Sequence, residues 1–385
     1  MKIFRVLLNG GGSGGHIYPL LAVIEALQGL GLETNRPIEL RYIGAPKQYE
    51  MRLKASGASV RRIMESKLRR YFSLAIIWDF IKFIFSLPQA FWYVFWFMPD
   101  VAFSKGGPGA LAVLYACRFY RVPIVIHESD AIPGLTTRLA VKFASKVTLS
   151  FAGATTYLPD NFGTETVGNP VRNELVFGPN ERTPEARAAA KLALGFSAEL
   201  PLIVVLGGSQ GATAINRFIL DYLQFLLEKY QVLHQTGLSN YPEHHRASLA
   251  AMENTGEKDR ERYKDVPFLE RDLRTALMAA DLVISRSGAG AIFEIAAAGK
   301  ASILIPLENS ASDHQNENAF QYREAGACAV LKEENMGNAA VVQHLITSLM
   351  ADETQLKKMS ENAKLFAKPS AAKDLALIIL NFAKS

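Results

Sequence analysis

Cysteine is scarce in this chain: Cys117 and Cys328 are the only two, far apart and without a Cys-x-x-Cys pair. That excludes a disulfide framework and a cysteine-built zinc site, and points to a reducing compartment with both thiols as small core residues. No Asp-x-Asp occurs, so a metal held by paired aspartates is not the expected source of positive potential. A dominant charge is missing as well. The 42 basic residues oppose 37 acidic ones, a net +5 that suits an anionic surface but not the dense basic face of a duplex binder, so no nucleic acid is expected. The most apolar uncharged run, "FIFSLPQAFWYVFWFM" from Phe83 to Met98, has a central proline and falls short of the ~20 residues of a membrane-spanning helix. The opening "MKIFRVLLNGGG" has too short an apolar core and no small-residue cleavage pattern for a signal peptide. It reads as a first strand, and a cytoplasmic location is expected.

What is abundant is glycine at chosen places. At 385 residues the chain exceeds the size of one core, and two domains are expected. The first half alternates strand-like runs ("IFRVLL", "IELRYIG", "DVAFS", "PIVIHES", "KVTLS") with helical patterns. After "GGGSGGHIYP", Leu20, Val23, Ile24 and Leu27 form one apolar stripe, and Gly29 with Gly31 is expected to stop that helix. Past "VGNPVRNEL" the pattern restarts with "PLIVVLGGSQGATAIN", followed by "QVLHQTG", "DLVISRSG" and "ASILIPL". The spacing predicts two Rossmann-like α/β domains, 1–168 and 169–368, and a final helix in 369–385, after Pro369 with Ser370 as N-cap, that could pack back on the first domain.

Glycine turns that join strands to helix N-termini make anion sites, because the first helical amides lack acceptors and carry partial positive charge. Three such segments occur: Gly10–Gly15, Gly207–Ala212 and Ser285–Gly299. The first is not a P-loop, since no Gly-Lys-Ser/Thr closes it, and the acidic residue expected for a dinucleotide site at the end of the second strand is replaced by Gly44. All three should lie at the carboxyl ends of strands, where open α/β sheets bind ligands.

Taken in order, "GGSGGHIYP", "IHESDAIPGLTTRLA", "VGNPVR", "GGSQGATAIN", "HQTG", "ADLVISRSGAGAIFEIAAAGKASILIPL" and "DHQNENA" resemble the MurG-type N-acetylglucosaminyltransferases of glycosyltransferase family 28. The resemblance covers nearly the whole chain and implies the GT-B fold, two Rossmann-like domains facing across a cleft. It also implies inverting transfer of GlcNAc from UDP-GlcNAc to the undecaprenyl-linked muramyl-pentapeptide called lipid I, giving lipid II, without a cofactor. By resemblance Ser13, Gly14 and Gly15 sit beside the donor pyrophosphate and the acceptor, while Arg172 and Ser209 contact the nucleotide diphosphate. Leu269 borders the base, the segment Ala289, Gly290, Ala291, Ile292, Phe293 leads to Glu294 on the ribose, and Gln315 meets the sugar. Two departures stand out: "HESD" puts Asp130 where the family has an amide, and "GGPGALA" at Gly106–Ala112 replaces the family's "GGYVSGP". A diacylglycerol glucosyltransferase, a UDP-GlcNAc 2-epimerase-like isomerase and a nucleotide-sugar-binding scaffold remain alternatives.

Such a transfer needs a base for the attacking hydroxyl and positive potential for the departing diphosphate. His16, following the first glycine loop, is the first candidate base, with Glu128 and Asp130 as rivals. His244 and His245, in a polar segment, are expected to be solvated, and His344 to lie on a helix surface. For reaching a lipid, the basic residues Arg52, Lys54, Arg61, Arg62, Lys67, Arg69 and Arg70 precede the aromatic stretch, with only Glu65 opposing them between Met51 and Arg70. Arg69, Arg70, Trp78, Phe83, Phe91 and Trp92 are expected to touch an anionic membrane surface, making the protein peripheral at the cytoplasmic face.

Overall fold

The computed structural model describes residues 3–65, 75–159, 162–208, 210–253, 255–308 and 313–382. Two units divide them, one of residues 1–173 with 368–385, the other of residues 174–367. The first unit is built on β1 (Phe4–Asn9), β2 (Ile38–Gly44), β3 (Ser59–Arg62), β4 (Val101–Ser104), β5 (Ile124–Glu128), β6 (Lys146–Leu149) and β7 (Thr164–Thr166). Its helices are α1 (Gly14–Glu33), α2 (Glu50–Ala55), α3 (Ala75–Phe97), α4 (Ala110–Phe119) and α5 (Leu135–Ala140). The second unit has β8 (Leu202–Leu206), β9 (Gln231–Gln235), β10 (Tyr263–Val266), β11 (Leu282–Ser285), β12 (Ser302–Leu304) and β13 (Cys328–Val330). Around these lie α6 (Pro184–Ala193), α7 (Thr213–Asp221), α8 (Leu223–Lys229), α9 (Tyr241–Ala251), α10 (Glu257–Arg260), α11 (Leu273–Ala279), α12 (Ala289–Ala298), α13 (His314–Glu324), α14 (Ala339–Ala351) and α15 (Glu353–Phe366). The last helix, α16 (Ala371–Asn381), belongs to the first unit.

Both sheets are wholly parallel, in the orders β3-β2-β1-β4-β5-β6-β7 and β10-β9-β8-β11-β12-β13. In each sheet the order reverses beside the strand that leads into the first glycine turn, the place where doubly wound sheets open a crevice. Parallel sheets are covered on both faces, which is why "VLL" and "LIVVL" read as continuous apolar runs. In the first unit one face packs Val6 and Leu8 against Leu20, Val23, Ile24 and Leu27 of α1 and Leu375 and Ile379 of α16. The other packs Leu7, Ala102 and Ile126 against Ala90, Val94 and Phe97 of α3 and Val113 and Cys117 of α4.

Two expectations fail for the same reason, tertiary burial overriding a local breaker. Helix α1 runs through Gly29 and Gly31 to Glu33, because Leu30 and Gly31, past the first of these glycines, are buried on the core face. Helix α3 continues through Pro88, and its stretch Ile77–Phe97 is long and apolar enough, by length and composition, to cross a membrane. The argument from a short, proline-broken run therefore does not hold. The thiols of Cys117 and Cys328 are both buried and unpaired with each other, and burial pushes each up to about 12.

Candidate functional site

In the first unit three loops leave the carboxyl ends of adjacent strands β1, β4 and β5. Helix α1 begins inside the glycine cluster, with Ser13 as its N-cap residue. The Ser13 hydroxyl does not cap the helix but meets His16 Nδ1 at 2.8 Å. Added Cβ atoms show how tightly the imidazole is held. One on Gly11 would stand 3.1 Å from His16 Nδ1, and one on Gly107, whose φ is +88°, would stand 3.0 Å from His16 Nε2. At Gly15, by contrast, a Cβ would meet nothing within 4 Å, leaving open space over the helix start. Burial, and then the charge of Lys105, lower His16 from 6.5 to about 4, against the opposing pull of Asp130. The imidazole is therefore neutral at neutral pH.

Glu128 ends β5 and is buried. Its Oε1 accepts from the Asp130 amide at 3.1 Å; its Oε2 accepts from the Gly134 amide at 3.0 Å and the Thr137 hydroxyl at 2.6 Å. Burial and the neighbouring Asp130 charge raise its pKa despite these bonds. With both oxygens engaged by its own loop, Glu128 shapes that loop, and Asp130, partly exposed, is the carboxylate the loop presents. His127 is an internal strut, bonded to Thr148 Oγ1 at 3.0 Å and Ser150 Oγ at 3.1 Å and held well below its usual pKa by burial.

Sequence reasoning passed over Lys105 and Asn169. Both are buried, and Lys105 Nζ donates to Asn169 Oδ1 at 2.9 Å. The available signal was a lysine placed directly after β4 and before a run of glycines. Arg172, in the first unit, lies with its guanidinium 5.1 Å from the Tyr18 ring centroid.

In the second unit the loops after β8, β9, β10, β11 and β12 gather at the carboxyl edge of one sheet. Gly211 (φ +82°) and Gly237 (φ +93°) are packed so closely that a Cβ on Gly237 would stand 2.3 Å from Gly211 Cα. Ser209 lies outside the described residues, between Gly208 and the start of α7. Leu269 is buried, its amide donating to Gln235 Oε1 at 2.9 Å. Helix α12 starts at Ala289 behind Gly288, and Cβ atoms on Gly288 or Gly290 would meet nothing within 4 Å. Ile292 and Phe293 are core residues, the Phe293 ring tilted against that of Phe366 with centroids 5.3 Å apart. The segment can thus offer a ligand the backbone of Ala289, Gly290 and Ala291 and the partly exposed carboxylate of Glu294, but not those two side chains. Gln315, on the first turn of α13, accepts from the Leu307 amide at 3.0 Å and, by its carbonyl, from the Ser287 hydroxyl at 2.7 Å. It ties the loops after β11 and β12 together. Among the described residues no group of three or more His, Cys, Asp or Glu side chains could hold a metal ion.

His244 is not solvated. It is buried with Nε2 at 2.7 Å from the Tyr263 hydroxyl, which also meets His234 Nδ1 at 3.1 Å. His245 is partly exposed and pairs with Asp265 at 2.8 Å. His344 is exposed on α14.

Along α3, Trp78, Trp92 and Trp96 are 66%, 61% and 64% exposed, joined by Phe80, Phe85 and Phe95. Phe83 and Phe91 instead lie half-buried against the first unit's core, because they share the face of Ala90 and Val94. Arg69 and Arg70, with Lys67, lie outside the described residues. Of the basic residues before them, Lys54 and Arg62 are paired with Glu50, an acid just upstream of the stretch in which Glu65 was counted as the only opponent.

Residues 6–149 match the glycosyltransferase family 28 N-terminal domain and residues 202–375 its C-terminal domain. The chain is 32% identical to a Treponema denticola UDP-N-acetylglucosamine–N-acetylmuramyl-(pentapeptide) pyrophosphoryl-undecaprenol N-acetylglucosamine transferase, over 99% of this chain and 97% of that one. It is 36% identical to a Bacillus cereus protein of the same name, numbered 2, over 89% and 90%. The crystal structure of Acinetobacter baumannii MurG superposes with a TM-score of 0.73 at 25% identity, covering 98% of this chain and 99% of that one.

Proposed function

The chain belongs to glycosyltransferase family 28 and has the GT-B fold, and from that premise we propose that it transfers N-acetylglucosamine from UDP-GlcNAc to undecaprenyl-pyrophosphoryl-muramyl-pentapeptide, making lipid II. The observation that carries this reading is similarity to transferases of that name along 99% of the chain. The site residues support it in chemical terms. The second unit binds the donor, with the amides opening α7 and α12 taking the diphosphate and Glu294 the ribose hydroxyls. The first unit supplies the proton acceptor.

In the transfer, the acceptor hydroxyl forms a bond to the anomeric carbon as the bond from that carbon to the phosphate oxygen breaks. The electron pair leaves with UDP, the configuration inverts, and the hydroxyl proton passes to His16 Nε2. That requires the tautomer in which His16 Nδ1–H donates to Ser13 Oγ, 2.8 Å away. Helix-terminal amides, with Arg172, supply the positive potential, and no metal or cofactor is invoked. UDP release should require a polyprenyl-linked muramyl-pentapeptide. A panel containing that acceptor, diacylglycerol and no acceptor tests this, and release with diacylglycerol alone would overturn it.

The exposed aromatic face of α3 is the membrane contact, with the opposite face packed on the core so that the helix lies along the surface instead of crossing. The protein works at the cytoplasmic face, where nucleotide sugars are made. Trp92→Glu with Trp96→Glu, both exposed, should reduce sedimentation with anionic vesicles at least tenfold, since each buried indole contributes roughly 2 kcal/mol or more. Unchanged co-sedimentation of the double variant would reject this face.

A further inference from the structure

Four polar side chains are linked through the core of the second unit, and the transfer as described makes no use of them. His244 of α9, Tyr263 of β10, His234 of β9 and Asn216 of α7 are all buried. His244 Nε2 stands 2.7 Å from the Tyr263 hydroxyl, that hydroxyl 3.1 Å from His234 Nδ1, and His234 Nε2 3.1 Å from Asn216 Oδ1. The Asn216 amide nitrogen donates in turn to the Thr236 carbonyl at 2.9 Å. Every proton in this chain has one place. A carbonyl only accepts, so Thr236 fixes the Asn216 amide with its nitrogen toward the loop after β9 and its oxygen toward His234. Burial holds His234 well below its ordinary pKa and lowers His244 too, so at neutral pH each ring has a single N–H. The His234 proton is therefore on Nε2, where it reaches Asn216, and its Nδ1 accepts from the Tyr263 hydroxyl. Tyr263, its own proton already given, accepts from His244 Nε2–H.

The chain ends on the carbonyl against which the glycine turn before α7 is folded. A Cβ on Gly211 would stand 2.4 Å from the Thr236 oxygen. The Thr236 amide and hydroxyl both donate to the Val266 carbonyl, at 3.0 and 3.3 Å, which ties that residue to β10. At the other end His245, next to His244, pairs with Asp265 at 2.8 Å, so α9 is pinned to the same strand. Ile215, Phe218 and Ile219 press α7 on the core, but apolar burial is non-directional and leaves the helix free to shift along its axis. The directional bonds of Asn216, one turn into α7, remove that freedom. We propose that His234, Tyr263 and Asn216 are positioning residues for the donor: they hold the first turn of α7 where its amides meet the diphosphate. None of the three touches the ligand. The inference rests on the assignment of the donor diphosphate to the amides opening α7, and adds the core residues on which that contact depends.

The test uses the full-length protein. Nitrogen NMR of the imidazoles should show His234 and His244 both protonated on Nε2; a His234 protonated on Nδ1 could not donate to Asn216 and would overturn the inference. Calorimetry then compares UDP with uridine, which lacks the diphosphate. In His234→Leu the dissociation constant for UDP should rise roughly tenfold and that for uridine stay within about twofold, since only the diphosphate meets the displaced amides. His234→Gln, whose amide offers one acceptor and one donor group, should recover most of the UDP affinity. Tyr263→Phe leaves the bond between His234 and Asn216 in place and should cost about threefold; it carries the same comparison if His234→Leu does not fold. Equal losses for UDP and uridine would mean a general loosening of the unit and overturn the inference, as would unchanged UDP affinity in His234→Leu. Wild-type protein that binds UDP but releases none from UDP-GlcNAc with any acceptor would instead retire the transferase reading and leave the binding comparison to judge this one.

Discussion

His16→Ala should fold, bind UDP-GlcNAc with a dissociation constant within about twofold of wild type, and lose kcat by a factor of 10² to 10⁴. The separation follows from where the groups sit. The proposed donor contacts are the second unit's loops and Arg172, whereas His16 stands in the first turn of α1, with Gly11 and Gly107 against its ring edges. Its pH dependence has a definite sign. A histidine lowered to about 4 carries a proton only below that value, so in the free enzyme the acidic limb of kcat/KM due to His16 lies near 4 and not near 6.5. Activity is lost as pH falls through about 4 and is retained above it. Ser13→Ala removes the partner that fixes the tautomer and should cost less, roughly tenfold, because the imidazole keeps its position between the two glycines. Steady-state kinetics with calorimetric UDP-GlcNAc binding checks both. If His16→Ala turned over at the wild-type rate, the proton would have to go to Asp130.

How much of this was legible in the sequence depends on the range of the interaction concerned. Strand, glycine turn and helix follow one another within about 25 residues, so the openings at Phe4–Leu27 and Leu202–Asp221 could be read directly. The ends of α1 and the continuity of α3 could not, because Leu30 and Val94 are buried by residues distant in the chain, and that burial outweighs a glycine or an exposed proline. Lys105 illustrates the same limit in the site. Its anchor lies 64 residues away, and its place between β4 and a run of glycines does not by itself reveal that partner. His244 was misjudged likewise, since its partner Tyr263 arrives only with β10. Phe83 and Phe91 were assigned to the membrane on composition, but the helical period places them on the packed face.

Glu294→Ala should leave kcat at saturating donor within a factor of about three and raise KM for UDP-GlcNAc roughly 100-fold. The carboxylate stands six residues into α12, partly exposed, two positions past buried Ile292 and beside buried Phe293 and Ile295, so the core holds the helix while this one acid faces outward. An ionised carboxylate accepting two ribose hydroxyls contributes about 1.5–3 kcal/mol per bond, and the two together amount to about two or more powers of ten in affinity. Because the ribose is remote from the breaking bond, its loss is felt equally in the ground and transition states and appears in KM. The sharper measurement is selectivity. Wild-type protein should prefer UDP over its 2′-deoxy analogue as a competitive inhibitor by roughly tenfold or more, and Glu294→Ala should treat them alike. Glu294→Gln, which keeps the length and one acceptor, should fall between. Equal selectivity in wild type and Glu294→Ala would move the ribose elsewhere in the second unit, and with it the direction in which the diphosphate meets the amides of α12.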